Sequence, residues 1–326
     1  MPSTQPMFSV VIPTIGGDSK LLPLIEGLAA QTLARDQWEA IVVFDGADLS
    51  PRVGERLDTL GARIVRLDRR QGPSIARNAG AAIAAGPFLA FTEDDVVPDP
   101  EWLASAASRL AADPSLDVLE GVTKKPGGRA VRIRGDESPQ YIPCNLFVRR
   151  SLFEQIGGYH EGYFDADNGV FFREDADLGY TLEGAGARVG REERAIVTHP
   201  IEHPRFLDPL RWAKRYEMDA LLAKRHPALF RERIEIHELG PLKIRRPIVR
   251  ASVVYVIGLA IALAGFFAAR PILPWIGVAA AAAAFLPIWA KWRFDLTRLP
   301  VFLLVPFALL GALMRGKARI RKLNLS

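Results

Sequence analysis

"GPFLAFTEDDVVPDPEW" (residues 86–102) decides the fold of this chain. An apolar run reads as a buried strand and stops abruptly at Glu93-Asp94-Asp95. Adjacent carboxylates repel one another, so such a cluster either faces water or has a cation to neutralise it. Upstream, "FSVVIP" (8–13), "WEAIVVFD" (38–45) and "ARIVRLD" (62–68) are similar short runs rich in β-branched residues. Between them, Leu21, Leu22, Ile25, Leu28 and Leu33 recur at helical spacing, and "SIARNAGAAIAA" (74–85) is rich in helix formers. Strands alternating with helices predict an α/β fold with a mostly parallel sheet covered on both faces. Ligands of such folds bind at the carboxyl ends of the strands. Asp45 and the 93–95 cluster both stand at such ends.

Past residue 115 the alternation weakens. "LDVLEGVTKK" (116–125) and "YIPCNLFVRR" (141–150) read as strands and "SLFEQI" (151–156) as a helical turn. A helix is expected from about Asp175 to Gly184 and another, with a basic face, over 206–226.

Charge is divided unevenly. Residues 1–239 carry a net charge of −7, whereas residues 240–326 hold 13 basic residues and Asp295 alone among acids, a net of +12. The basic charge thus belongs to an apolar tail, and no nucleic-acid partner is expected. "ASVVYVIGLAIALAGFFAA" (251–269) and "PILPWIGVAAAAAAFLPIWA" (271–290) are each about the ~20 residues that a membrane span needs. "LPVFLLVPFALLGALM" (299–314) is shorter and contains Pro300 and Pro306. The expected organisation is a domain over 1–240 and a membrane region over 241–326. No signal peptide precedes "FSVVIPT", so the first domain is expected in the cytoplasm of a multi-pass inner-membrane protein. "KIRRPIVR" (243–250) before the first span agrees with the positive-inside rule and can hold anionic lipid. A full third span would put "RGKARIRK" (315–322) outside, so two spans are preferred, with 299–314 interfacial or re-entrant. The single Cys144 excludes an internal disulfide and any multi-cysteine metal site.

Glu93 and Asp95 are two residues apart, so on an extended segment both side chains point the same way. Together they can coordinate a divalent cation, Mn²⁺ or Mg²⁺, to which a diphosphate adds further oxygens; a solvated acidic turn is the plainer alternative. Asp45 can meet a nucleotide or cap a turn. Arg77 and Asn78 lie in the first turns of a helix that an anion can approach. Glu174-Asp175 precedes an apolar-periodic segment, where Asp175 can be an ordinary N-cap. His199 and His203, in "AIVTHPIEH", can offer imidazole to a metal.

"VVIPT", "VVFDGAD", "GPSIARNAGAAIAAGPFLAFTEDDVVPDPEWL", "CNLFVRRSLFEQIGGYHEGYF" and "REDADLGYTLEGAG" follow one another as in family 2 glycosyltransferases of the GT-A fold, which residues 8–200 resemble. The resemblance implies transfer of a sugar from a nucleotide-diphosphate donor. It makes Pro13, Thr14 and Asp45 nucleotide-contacting positions and sets Arg77 and Asn78 near the donor. Glu93 and Asp95 match the outer positions of the family's acidic metal motif, normally aspartates, with Asp94 between them. Glu93 departs from it by one methylene, which alters its reach. Asp175, second of the Glu174-Asp175 pair, matches the base, and His199 a histidine that closes the metal site in some members. "QxxRW" of processive synthases is absent. With the membrane tail, the resemblance implies an inverting transferase acting on a polyprenyl phosphate, a lipid-linked glycan or a glycolipid. Elongation of an exported polysaccharide and a catalytically dead, membrane-anchored binding protein are the alternatives.

Overall fold

A computed structural model describes residues 5–128, 141–200, 205–239 and 242–323. Contacts divide the chain into two compact units, Met1–Glu202 and His203–Ser326.

The first unit runs β1 (Phe8–Thr14), α1 (Asp18–Ala29), β2 (Trp38–Asp45), α2 (Pro51–Leu60), β3 (Arg63–Leu67), α3 (Pro73–Ala82), β4 (Phe88–Phe91), β5 (Val97–Pro98), α4 (Trp102–Ala112), β6 (Val118–Lys124), β7 (Leu146–Arg149), α5 (Arg150–Gln155), β8 (Phe164–Asp165), β9 (Val170–Phe171), α6 (Glu174–Gly184) and β10 (Val189–Thr198). Eight strands form one sheet in the order β3-β2-β1-β4-β7-β6-β10-β5, and β8 and β9 pair separately. β3-β2-β1-β4 is parallel, as is β6-β10, while β7 and β5 run antiparallel to their neighbours. The α/β fold with a mostly parallel sheet is thus as expected.

Alternation along the strands builds a core on each face. Phe8, Val10, Ile12, Val42 and Phe44 pack with residues of α1, α2 and α4. Val11, Ile41, Val43, Leu89 and Phe91 face the other way, with residues of α3, α5 and α6. At Gly80, a Cβ would lie 2.5 Å from Val11 Cγ1, so α3 lies directly on the sheet. That close approach carries Arg77 and Asn78 down to the strand ends. The chain leaves β1 for β2 on one side and returns to β4 on the other, which opens a crevice at the carboxyl ends of β1 and β4.

Four strands of this unit were not foreseen. β10, "VGREERAIVT", has an outer half that is charged and only partly buried, so it lacks an apolar run. β5 is two residues long, and the β8–β9 hairpin equally short.

The second unit begins with α7 (Asp208–Arg215), a 3₁₀ turn (Tyr216–Met218) and α8 (Asp219–Arg225), so the helix expected over 206–226 is interrupted. α9 (Pro227–Phe230) and a π turn (Arg231–Glu235) lead to β11 (Ile236–Leu239) and β12 (Leu242–Arg245). Buried Glu235 accepts from Arg245 and pairs with Arg246, each at 2.6 Å. Two of the four basic residues of "KIRRPIVR" therefore spend their charge within the protein.

α10 (Pro247–Phe267) and α11 (Leu273–Ala290) form an antiparallel hairpin, followed by α12 (Leu299–Phe302) and α13 (Val305–Leu323). Pro300 and Pro306 each fall in a first helical turn, where the missing N–H costs little, so the third apolar segment is helical despite them. Among the described residues, three stretches are long and apolar enough to cross a membrane: Pro247–Phe267, Leu273–Ala290 and Leu299–Arg321. From Ala251 to Ala290 the outer surface of the hairpin is apolar except at Arg270 in the loop, with Phe266, Phe267 and Trp275 about three-quarters exposed. These features make the chain a multi-pass membrane protein.

Gly258, Gly265 and Gly277 let the backbones of α10 and α11 touch. A Cβ at Gly277 would collide with the Ala262 amide and the Gly258 carbonyl, the small-residue contact that membrane helices use. Gly277→Leu is expected to lower the melting temperature of the detergent-solubilised protein markedly, while Ala279→Leu, on the exposed face, leaves it nearly unchanged.

Candidate active site

The acidic turn follows β4 and is immediately followed by β5. β5 pairs antiparallel with the end of β10, matching Thr198 to Val97 and Val197 to Pro98. That register brings His199 back alongside the acidic turn, while its amide donates to the Lys124 carbonyl at 2.7 Å. His199 Nε2 lies 3.8 Å from both Glu93 Oε2 and Asp95 Oδ1. The three residues offer ligand atoms within 4.8 Å of one another. The expectation that Glu93 and Asp95 point the same way is met, with His199 as the third member. His203 lies outside the described residues.

The donor chemistry fits a divalent cation. His199 Nδ1 is 3.0 Å from the Pro200 carbonyl. That oxygen only accepts, so Nδ1 is the donor and Nε2 is the nitrogen turned toward the two carboxylates, placed to offer its lone pair to a cation between them. A ring nitrogen fixed by a carbonyl is the usual arrangement of a metal-binding histidine. Burial raises Glu93 above the ordinary carboxylate range, opposed by Arg77 and reinforced by Asp95. A cation beside it would reverse that shift.

Asp94 points elsewhere. Thr14, at the end of β1, donates to its Oδ2 at 2.6 Å and accepts from the Gly16 amide at 2.9 Å. This bond ties β1 to the acidic turn across the crevice. Burial raises Asp94 too, partly offset by Thr14 and Lys20. Lys20 donates to Asp95 at 3.1 Å and lies 3.9 Å from Asp94. No sequence signal singled out Lys20; its place two residues into α1, over the same crevice, shows only in three dimensions.

Arg77 is 2% exposed. Its guanidinium lies 3.3 Å from Glu93 and 3.9 Å from Glu174, and 5.2 Å above the Tyr159 ring. Nε and Nη1 find no hydrogen-bond partner among the described residues. One buried cation thus joins the carboxylates after β4 to the start of α6. Asn78 also grips the protein: it donates to the Tyr159 carbonyl at 2.8 Å and accepts from its amide at 2.9 Å. Both residues expected near the donor therefore grip protein groups, and Tyr159 of "GGYHE" is the shared partner that was not foreseen.

α6 opens at Glu174 behind Arg173, which takes the N-cap position at φ 78°. Asp175 is thus not the N-cap; it lies in the first turn, half-buried, and accepts from the Ala176 amide at 2.7 Å. Glu174 is buried, and burial together with Asp175 pushes it up to about 7 against the pull of Arg77. Asp45, 3% exposed, accepts from the Gln71 and Gly72 amides at 2.6 and 2.8 Å, closing the loop that starts α3. Pro13 sits beside Thr14 in β1, opposite Val43.

Several known proteins are similar to this chain. Glycosyltransferase AglE of Haloferax volcanii is 26% identical over 207 residues, covering 58% of this chain and 68% of that protein. Validoxylamine A glucosyltransferase of Streptomyces hygroscopicus subsp. limoneus is 28% identical over 276 residues, 65% of this chain and 60% of its own. Dodecaprenyl-phosphate galacturonate synthase of Rhizobium johnstonii is 33% identical over 121 residues, 36% of each chain. Among solved structures, the mannosyltransferase PcManGT of Pyrobaculum calidifontis, in complex with GDP-Man and Mn²⁺, has a TM-score of 0.54 at 16% identity, over 100% of this chain and 89% of that one. The model of "Glycosyl transferase family 2" matches residues 9–177, from β1 into α6. That is more than half of the 326 residues, and the chain belongs to glycosyl transferase family 2.

Proposed function

We propose that the protein transfers a sugar, with inversion, from a nucleotide-diphosphate donor to a membrane-bound acceptor: a polyprenyl phosphate, a lipid-linked glycan or a glycolipid. The observation that carries this reading is the convergence of Glu93, Asp95 and His199 at the crevice of a family 2 chain that continues into apolar helices. The stretch shared with the dodecaprenyl-phosphate galacturonate synthase supports the polyprenyl-phosphate class. The catalytic domain is assigned to residues 1–240 and to the cytoplasmic side, because basic residues flank α10 and follow α11.

Glu93, Asp95 and His199 hold the cation, Mn²⁺ or Mg²⁺. When bound, it stabilises the negative charge that grows on a departing nucleoside diphosphate. Pro13, Thr14 and the Gln71–Gly72 loop held by Asp45 border the nucleotide, and Asp94 keeps Thr14 in place. Asp175 takes the proton of the acceptor hydroxyl as its oxygen attacks the anomeric carbon. Glu174 and Arg77 act as positioning residues, holding the start of α6 against the acidic turn, and Asn78 holds the Tyr159 backbone against α3.

A screen of nucleotide sugars against membrane lipid extract, read by mass spectrometry, tests the reading as a whole. A divalent cation is expected to be required. Asp95→Ala is expected to fold normally and lose nearly all turnover; full activity in excess chelator would overturn the metal role. Asp175→Asn keeps size and most hydrogen bonding but removes the proton acceptor. Turnover is expected to fall by about 10²–10⁴-fold with donor affinity little changed. An unchanged rate would instead point to a phosphate acceptor, which arrives already ionised.

Glu174 makes a pH-dependent contribution. Its folded pKa of about 7 lies above the ordinary value, so its neutral form is favoured by the fold. That stability is present below about pH 4 and is lost as pH rises through about 7. Glu174→Gln never acquires the charge. In chelator, the variant is expected to match the parent near pH 4 and to gain on it up to about pH 7, levelling near 3 kcal/mol at most. Thermal unfolding across that range checks the sign.

A further inference from the structure

We infer that α12–α13 does not cross the bilayer but lies in its surface, paired lengthwise with α7–α8, as a platform for anionic lipid head groups. By length and composition this segment qualifies as a span; its partners decide otherwise. The pairing runs in parallel. Ala213 of α7 shares a core with Phe302, Val305 and Leu309. Further on, Arg315 Nε lies 3.2 Å from Glu217, and Arg319 Nη1 lies 3.9 Å from Met218 Sδ. A Cβ at Gly316 would collide with the Glu217 carbonyl, so the two backbones touch.

The partner strip contains Arg211, Lys214, Arg215, Glu217, Lys224 and Arg225. Charged residues of this density are excluded from hydrocarbon. A helix that keeps this strip beside it from Phe302 to Arg319 is excluded with it. The contacts with α10 agree. The core shared with α13 takes only Ile248, Val249, Ala251, Tyr255 and Val256 from α10, all within its first ten residues. A third span would follow α10 on toward Gly265.

The level of the platform is marked by aromatic rings. Trp292, just past α11, lies 6.0 Å from Trp212 of α7 and 5.6 Å from Phe302, ring to ring. Lys291 Nζ sits 4.5 Å over Trp212 and 3.3 Å from the Tyr216 hydroxyl. Tryptophan, tyrosine and lysine together mark the membrane–water boundary. The face of α12–α13 turned away from α7 is exposed and apolar at Leu303, Leu304, Phe307 and Met314, then basic at Lys317 and Arg321. Apolar side chains entering the acyl boundary, with basic ones reaching phosphates, describe a surface helix. The arrangement also leaves the basic C-terminal run on the side where α10 begins, as the positive-inside rule favours.

The test uses the full-length protein in phosphatidylcholine–phosphatidylglycerol vesicles, with spin labels at Leu303→Cys or Met314→Cys; the parent, with only buried Cys144, is the control. Eleven residues along a spanning helix differ in depth by about 16 Å. The platform predicts that both labels report the same shallow depth, and a difference near the spanning value overturns it. In intact cells, an impermeant maleimide is expected to reach Arg270→Cys but neither Ala318→Cys nor Ser115→Cys; labelling of Ala318→Cys together with Arg270→Cys also overturns it. Lys317→Glu with Arg321→Glu is expected to shift the Met314 label toward water when phosphatidylglycerol is present and not in phosphatidylcholine alone; an unmoved label rejects the head-group contact. None of these readouts depends on sugar transfer, so they stand or fall apart from the proposed activity.

Discussion

Arg77 is the constraint on which the candidate site depends. An arginine 2% exposed is tolerated only where its charge is compensated. Here Glu93 and Glu174 supply the compensation from opposite sides, with the Tyr159 ring beneath. Removing the guanidinium would leave a buried and a partly buried carboxylate without their shared cation, and removing either carboxylate would leave that cation underpaired. The geometry of the acidic turn and the start of α6 are therefore set together.

The second link is the return of β10. β5 follows the acidic turn so closely that its pairing with Val197 and Thr198 sets how far His199 stands from Asp95. With Thr14 fastening Asp94 on the other flank, the turn is held from both sides. Glu93 and Asp95 are then left facing His199.

Much of this was legible in the residues. β1, β2 and β4 are buried on both faces, so they read as apolar runs, and the carboxylates after β4 stood out because they end one. The pairing of Glu93 with Asp95 followed from the two-residue repeat. What was not legible depends on partners far along the chain. Arg77 and Asn78 have the composition of ligand-binding residues, yet packing at Gly80 turns them onto Glu93, Glu174 and the Tyr159 backbone. β10 was hidden because its exposed half carries charge, and Lys20 because nothing local marks it. Asp175 looked like an N-cap because its type suits one; Arg173, in a left-handed conformation, takes the position instead. In the second unit, hydropathy recognised the hairpin, but it could not reveal that α13 has a charged strip for a neighbour.

His199 follows the last residue of β10, and α10 begins at Pro247, 48 positions later. A ribosome therefore delivers every side chain of the Glu93–Asp95–His199 group before it makes the first apolar helix. No residue of the group comes from the part of the chain that needs lipid to be stable. The order of synthesis separates two assembly problems, one solved in water and the other at the bilayer, and a chain that fails at the second has still encoded a complete set of donors for the metal.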